Sequence, residues 1–353
     1  MSGWSNSLKA KSSLLLAGLL LAFSACRKDP QIPENGVVGT SPETGFRVPA
    51  GWPAPHYSFA NNPLQPKVIQ LGKKLFNDPS FSSDGTVSCG SCHQPAGAFS
   101  QTGHTVSHGV AGRLGTRNSP GLYNLAWHTS LMWDGGANNL ETQILIPLQS
   151  HEEMDLTPQE LVARVAASAE YRQAFRDAYG DSEINLARIL KTITQFMAVL
   201  VSDNAKWDCV QRGEASFTAE EKAGEKVFAA ACAACHKPPL FSDFAFRSNG
   251  LSVGAVNDSG RMRITGVPAD RYRFKTPSLR NWAFSAPYFH DGRAASLDAV
   301  LAHYTVEIAA QALPHTDPQL QGGISLKAGE KESLKAFLQT LNDTAFTQNP
   351  AFR

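Results

Sequence analysis

The chain has 353 residues, 42% hydrophobic and 18% charged, and its 32 Lys+Arg against 31 Asp+Glu give a formal net charge of +1. That length and apolar content suffice for a buried core and suggest two domains rather than one. The near-neutral balance, with no basic run interleaved with aromatics, excludes nucleic acid as a partner.

Lys9 and Lys11 precede an apolar run from Leu14 to Phe23. The run is too short to span a bilayer and has the length of a signal-peptide core. It ends in Ser24-Ala25-Cys26, which resembles the lipobox of bacterial lipoproteins. Residues 1–26 are therefore expected to be a lipoprotein-type signal peptide, with Cys26 as a lipid anchor and the mature chain periplasmic. An ordinary cleavage site is the alternative, and it too implies export. Residues 27–55, rich in Pro and Gly, are expected to form a flexible linker.

Four of the six cysteines lie in two pentapeptides, Cys89-Gly-Ser-Cys-His93 and Cys232-Ala-Ala-Cys-His236. With Cys26 set aside, only Cys209 is left, so no spare pair remains for a disulfide and Cys209 is expected to be a small buried residue. Two thiols three residues apart can add to the two vinyl groups of a haem, and the following histidine can ligate its iron. Covalent attachment suits an exported protein, from which free haem would be lost. Cys89, Cys92 and His93 are expected to hold one haem c, and Cys232, Cys235 and His236 a second. A zinc knuckle or a thioredoxin-like redox site are the alternatives.

The repeat extends beyond the cysteines. GKKLF (72–76) precedes the first motif and GEKVF (224–228) the second; SPGLYN (119–124) lines up with TPSLRN (276–281). Thirteen residues after Pro120 and after Pro277 come Trp133-Asp134-Gly135 and His290-Asp291-Gly292. Such register predicts a tandem of two related domains, 56–210 and 211–353. Residues 160–179 predict a helix closed by Gly180. Leu186, Ile189, Leu190, Ile193, Phe196, Met197 and Leu200 follow one apolar helix face. Thr218 and Glu221 make a capping box that opens the helix leading to the second motif. The expected fold is mainly α: two tandem cytochrome c-like helical domains, each with one covalently bound haem.

The sixth iron position decides what each haem does. Fourteen residues past Trp133 is Pro147, which cannot bind iron; fourteen past His290 is Tyr304, which can. The first iron is thus expected to be open and the second capped by Tyr304. Neighbouring His303, or water, is the alternative cap. His290 reads as a structural residue near a haem edge, and His56, His128, His151 and His315 have no motif behind them.

TRNSPGLYN, MWDGG, PYFHDG and both CxxCH elements, in this order and spacing, resemble the bacterial diheme cytochrome c peroxidase family over about residues 60–345. The resemblance implies a peroxidatic N-terminal haem and a C-terminal haem that passes electrons to it through Trp133. It implies a distal glutamate at Glu153, with Gln143 nearby, that cleaves hydrogen peroxide. Packed core tryptophan and surface glutamate are the plainer readings of Trp133 and Glu153. The resemblance further implies a calcium ion between the domains on Asn118, Ser285 and Pro287. A loop histidine at His108 would close the first haem, although that loop is two residues longer here; His104 is a weaker choice. The donor would be a small cytochrome or cupredoxin, and a homodimer is compatible with the family.

At the position of Tyr304 the family usually has methionine. Tyrosine there resembles the methylamine-utilisation diheme enzyme subgroup, whose reaction is an oxidation of a protein substrate. The leading expectation is therefore a diheme c-type peroxidase. The alternative is a diheme oxidase that stores two oxidising equivalents and modifies a protein or aromatic substrate. A pure electron-transfer module with no open iron is the third reading.

Overall fold

A computed structural model describes residues 46–353 apart from Ala255. The expected signal peptide, the Cys26 anchor and the first part of the linker lie outside the described residues. In chain order the first half holds α1 (Pro66–Phe76), α2 (Cys89–Cys92), α3 (Leu140–Gln143), α4 (Leu145–Gln149), α5 (Pro158–Ala167), α6 (Ala169–Tyr179) and α7 (Leu186–Ala198). Then come α8 (Lys206–Gln211), α9 (Ala219–Ala231), β1 (Phe246–Arg247), α10 (Met262–Thr265) and β2 (Phe274–Lys275). The chain closes with α11 (Leu297–Ala302), α12 (Ile308–Gln311), α13 (Glu330–Gln339) and α14 (Thr344–Thr347). Mainly helical architecture is as the pattern predicts, and β1 and β2 form only a two-residue antiparallel pair.

Each half is organised by one helix crossing. Pro66 opens α1 at a position that needs no N–H, and Val68, Ile69, Leu71, Leu75 and Phe76 bury one face. That face lies on α7, whose N-cap Asn185 accepts the Arg188 N–H. In the second half α9, opened by the Thr218–Glu221 capping box, lies on α13. The glycine of each repeated pentapeptide sits at the crossing. A Cβ on Gly72 would come 2.2 Å from the Thr192 carbonyl oxygen, and one on Gly224 would come 1.8 Å from that of Ser333. Backbones approach this closely only where no side chain intervenes.

Downstream the duplication is equally literal. Asn124 and Asn281 both take left-handed conformations, φ 56° and 59°, and each opens a short 3-10 turn. Both meet Ser202: Asn124 exchanges side-chain hydrogen bonds with its backbone, and the Asn281 amide donates to its hydroxyl at 2.9 Å. Matching bridges, Leu131 to Ala137 and Tyr288 to Ala294, enclose the WDG and HDG triplets. Arg280 is fully buried and donates to both carboxylate oxygens of Asp208, at 2.8 and 2.7 Å. Tyr123 of the first half donates to the Arg280 carbonyl.

Some expectations need correcting. The helix over 160–179 is two, because Ser168 turns extended and its hydroxyl caps α6 by accepting the Tyr171 N–H. Residues 46–55, counted with the linker, are packed: Phe46 is 2% exposed, and Trp52 meets Trp127 edge-on at 5.0 Å. Trp207 in α8 joins the second core, while Phe346 and Phe352 return to Phe99 in the first. Cys209 is buried, as expected. Among the described residues no helix is long and apolar enough to cross a membrane.

The glycine crossings carry a direct test. Gly224→Ala should force α9 off α13 and lower the unfolding free energy by about 1–3 kcal/mol. Denaturant titration reads the change as an earlier midpoint; an unmoved midpoint would show that the crossing has room to spare.

Candidate active site

Both pentapeptides fold into the same turn. The His93 N–H donates to the Cys89 carbonyl and the His236 N–H to the Cys232 carbonyl, each at 2.9 Å. Ser88 and Ser91 lock the first turn as a capping box. The imidazoles are then held from behind. His93 Nδ1 lies 2.7 Å from the Phe99 carbonyl oxygen, and His236 Nδ1 lies 3.2 Å and 3.1 Å from those of Phe241 and Pro277. A carbonyl only accepts, so Nδ1 carries the hydrogen and Nε2 keeps its lone pair. Phe99 and Phe241 turn their carbonyls inward by adopting φ 58° and 52°. Burial pulls both imidazoles down, His93 to about 4, so they stay neutral.

The four thiols are free cysteines. Burial pushes Cys89 and Cys232 up to about 12 and Cys92 to about 11. Such thiols are poor thiolates, which argues against a thioredoxin-like site. Among the described residues no three His, Cys, Asp or Glu side chains converge as a metal site, so the zinc alternative has no ligand set. Each motif does present what covalent haem attachment requires: two thiols across one turn and an imidazole with an available Nε2.

Beside the first motif stands Glu153. Its negative charge reaches Cys89 and Cys92. The loop 107–110 clasps it: Ser107 Oγ donates to Glu153 Oε1 at 3.1 Å, and the Val110 N–H donates to the Glu153 carbonyl at 2.9 Å. Gly109 permits the approach, since a Cβ there would lie 2.1 Å from the Glu152 carbonyl oxygen. Burial raises the Glu153 carboxyl, Ser107 opposes this, and Glu152 adds to it. Pro147 accepts the Met154 N–H through its carbonyl. Gln143 points elsewhere, donating to the Met132 sulfur at 3.6 Å. His108 is paired with His104, Nε2 to Nδ1 at 3.2 Å, and its carbonyl accepts from Cys92 Sγ at 3.6 Å.

Trp133 joins the halves. Its indole Nε1 donates to the Asn118 carbonyl at 2.8 Å, and its own carbonyl accepts the Lys275 N–H at 2.7 Å. Next to it Asp134, 1% exposed, accepts from Arg117 and Arg263, and those guanidinium groups hold its carboxyl low against its burial. The Asn118 amide donates to the carbonyls of His104 and Thr105, which leaves its Oδ1 as the oxygen it can offer a cation. The Asn118 N–H donates to the His290 carbonyl. Gly103 of that loop donates to the Ala286 carbonyl, between Ser285 and Pro287. An amide oxygen and backbone carbonyls are a hard donor set of the kind calcium takes.

In the second half, residues 303 and 304 are held differently. His303–Glu307 is a π-helical turn, a feature frequent at functional sites. His303 is 2% exposed and both its ring nitrogens are engaged, Nε2 with the Asn249 carbonyl at 2.8 Å and Nδ1 with Glu307 at 3.3 Å. It has no nitrogen to spare for iron. Tyr304 faces the second motif: burial pushes its hydroxyl up to about 12, Asn249 opposes this, and the charges of Cys235 and Cys232 reach it. His290 stacks on Phe274 at 3.7 Å, a structural place as expected.

Two residues of this site were invisible in sequence. Ser107 is a hydroxyl in an unremarkable loop, and its contact with Glu153 spans 46 positions. Lys275 immediately precedes TPSLRN, and that register was the one available signal.

Comparison with known proteins agrees with this geometry. Residues 66–216 match the family described as Di-haem cytochrome c peroxidase. The methylamine utilization protein MauG of Methylorubrum extorquens is 38% identical over 302 residues, 84% of this chain and 83% of that protein. The cytochrome c551 peroxidase of Pseudomonas aeruginosa is 33% identical over 264 residues, 71% of this chain and 76% of that protein. A crystal structure of a MauG-like protein associated with microbial copper homeostasis superposes with a TM-score of 0.79 at 32% identity, covering 87% of this chain and 97% of that one. On the residues, the repeat and these likenesses together, the chain belongs to the di-haem cytochrome c peroxidase family.

Proposed function

We propose that the chain reduces hydrogen peroxide to water at the first haem, with electrons that a small cytochrome or cupredoxin delivers through the second. The observation that carries this reading is the buried carboxyl of Glu153, hydrogen-bonded to Ser107 beside Cys89 and Cys92, in the half where register puts Pro147 at the sixth position. The family implies two haems, and bound haem supplies the iron through which electrons reach peroxide. Glu153 holds and moves the proton: it takes one from the inner peroxide oxygen and gives it to the outer, which leaves as water. Burial raises its carboxyl, which favours its holding a proton. Ser107 fixes which carboxylate oxygen faces the reaction. Gln143 is hydrogen-bonded to Met132 instead, and Trp133 links the two halves.

In this reading His93 and His236 would hold the two irons and Tyr304 would cap the second. His108, held by His104, closes the first site when it is idle. Calcium is held by Asn118 Oδ1 with the carbonyls of Ser285 and Pro287. Members of the family are periplasmic, and Cys26 would add a lipid anchor.

One observation favours the second reading, a diheme oxidase acting on a protein or aromatic substrate. Tyr304 puts a hard, anionic oxygen where a thioether would raise the haem potential, and a phenolate lowers it. Steady-state turnover of peroxide with reduced cytochrome c separates the two: brisk turnover supports the peroxidase, and sluggish turnover the oxidase.

Glu153→Gln should lower peroxide turnover about 10²–10⁴-fold. Because burial raises the folded-state pKa, the carboxyl stabilises the fold below its unfolded value, and that contribution is lost as pH rises through the folded one. Removing the charge should therefore leave thermal stability at neutral pH equal or higher. Wild-type turnover in the variant would remove Glu153 from the chemistry. Tyr304→Met should raise the midpoint potential of the second haem and alter its low-spin electron paramagnetic resonance signal; an unchanged spectrum would exclude Tyr304 as a ligand.

A further inference from the structure

We propose that Lys275 is the fixed counter-charge of a carboxylate on the second haem, one of its propionates. The inference rests on haem attachment at His236, not on which reaction the first haem performs.

One cation of this chain has no carboxylate partner among the described residues. Other enclosed cations of this chain meet carboxylates: Arg280 meets Asp208, and Arg117 meets Asp134 and Asp258. Lys275 does not. Its Nζ has His128 Nδ1 at 3.3 Å and the Phe244 ring at 5.5 Å, and among the described residues no carboxylate lies within 4 Å of it. His128 gives no anion, because its Nδ1 accepts from the ammonium and the ring is kept neutral by burial and by Lys275. The protein crowds Lys275 enough to pull the ammonium down to about 8. A cation so enclosed is costly unless an anion pairs with it.

Placement says which anion. Lys275 lies two residues before Pro277, whose carbonyl holds His236 Nδ1 at 3.1 Å. Its partners His128 and Phe244 meet at 4.4 Å with their rings tilted by 40°, and Phe244 follows the second motif by eight residues. The Lys275 N–H holds the Trp133 carbonyl. A haem bound at the second motif brings two carboxylates of its own to a protein surface that here offers a cation with no carboxylate within 4 Å among the described residues.

The duplication makes the same point. Asn118 stands two residues before Pro120 as Lys275 stands two before Pro277. The first half thus presents the proposed calcium ligand at the position where the second presents a cation outright. A positive charge beside a propionate favours the reduced iron and offsets the lowering due to Tyr304.

The test uses the holoprotein and reads potentials, not turnover. Lys275→Gln keeps a donor for His128 and removes the charge, whereas Lys275→Arg keeps the charge. Spectroelectrochemical titration should show the second haem shifted to more negative potential in Lys275→Gln and returned toward wild type in Lys275→Arg, with the first haem unmoved. An unshifted second haem in Lys275→Gln, equal shifts in both variants, or a shift confined to the first haem would overturn the proposal. If Lys275→Gln loses haem, redox-induced infrared difference spectra of Lys275→Arg carry the test. The propionate carboxylate band of the second haem should move, and an unmoved band would overturn the proposal.

Discussion

An imidazole offers iron a defined nitrogen only when its other nitrogen is held, and here backbone carbonyls do the holding. Phe99 fixes His93; Phe241 and Pro277 fix His236. The phenylalanine carbonyls reach inward because these residues take left-handed conformations that non-glycine residues rarely adopt. Cores packed around Phe76, Phe99 and Phe196 in the first half and Phe228, Phe241 and Phe337 in the second keep those turns in place. The glycine crossings under the helices set how closely each core closes. Proximal geometry, helix packing and backbone strain are thus one constraint, present twice.

What differs is what each copy places opposite its histidine. The first half supplies a proline by register and a buried carboxyl clasped by Ser107, with the Trp133 carbonyl hydrogen-bonded to Lys275 of the second half. The second supplies a π-helical turn that commits His303 to Asn249 and Glu307 and turns Tyr304 to the motif. On the proposed function, duplication followed by substitution at a few positions would suit one centre to chemistry and the other to relaying electrons. The buried Asp134, with Arg117 and Arg263 on it, anchors the Trp133 turn between them.

Much of this was legible in the sequence, for a physical reason. Cys-x-x-Cys-His is local covalent chemistry, and an internal repeat exposes equivalent positions without any structure, which is how Pro147 and Tyr304 could be compared. The capping box at Thr218 and the apolar face of α7 were equally local and equally readable. What could not be read depends on contacts far apart in the chain. Ser168 breaks a helix because its hydroxyl is a better cap than a helical residue. Phe346 crosses back to the first core. The exclusion of His303 depends on Asn249, fifty-four positions away. No local pattern signals any of the three.

The proposed function rests on asymmetry between two irons on the same frame. Low-temperature electron paramagnetic resonance of the fully oxidised wild-type protein tests it most directly. The account predicts two ferric signals of equal weight, one high-spin from the first haem and one low-spin from the second. Two low-spin signals, in that state and after partial reduction, would mean that both irons are capped by protein and would contradict it.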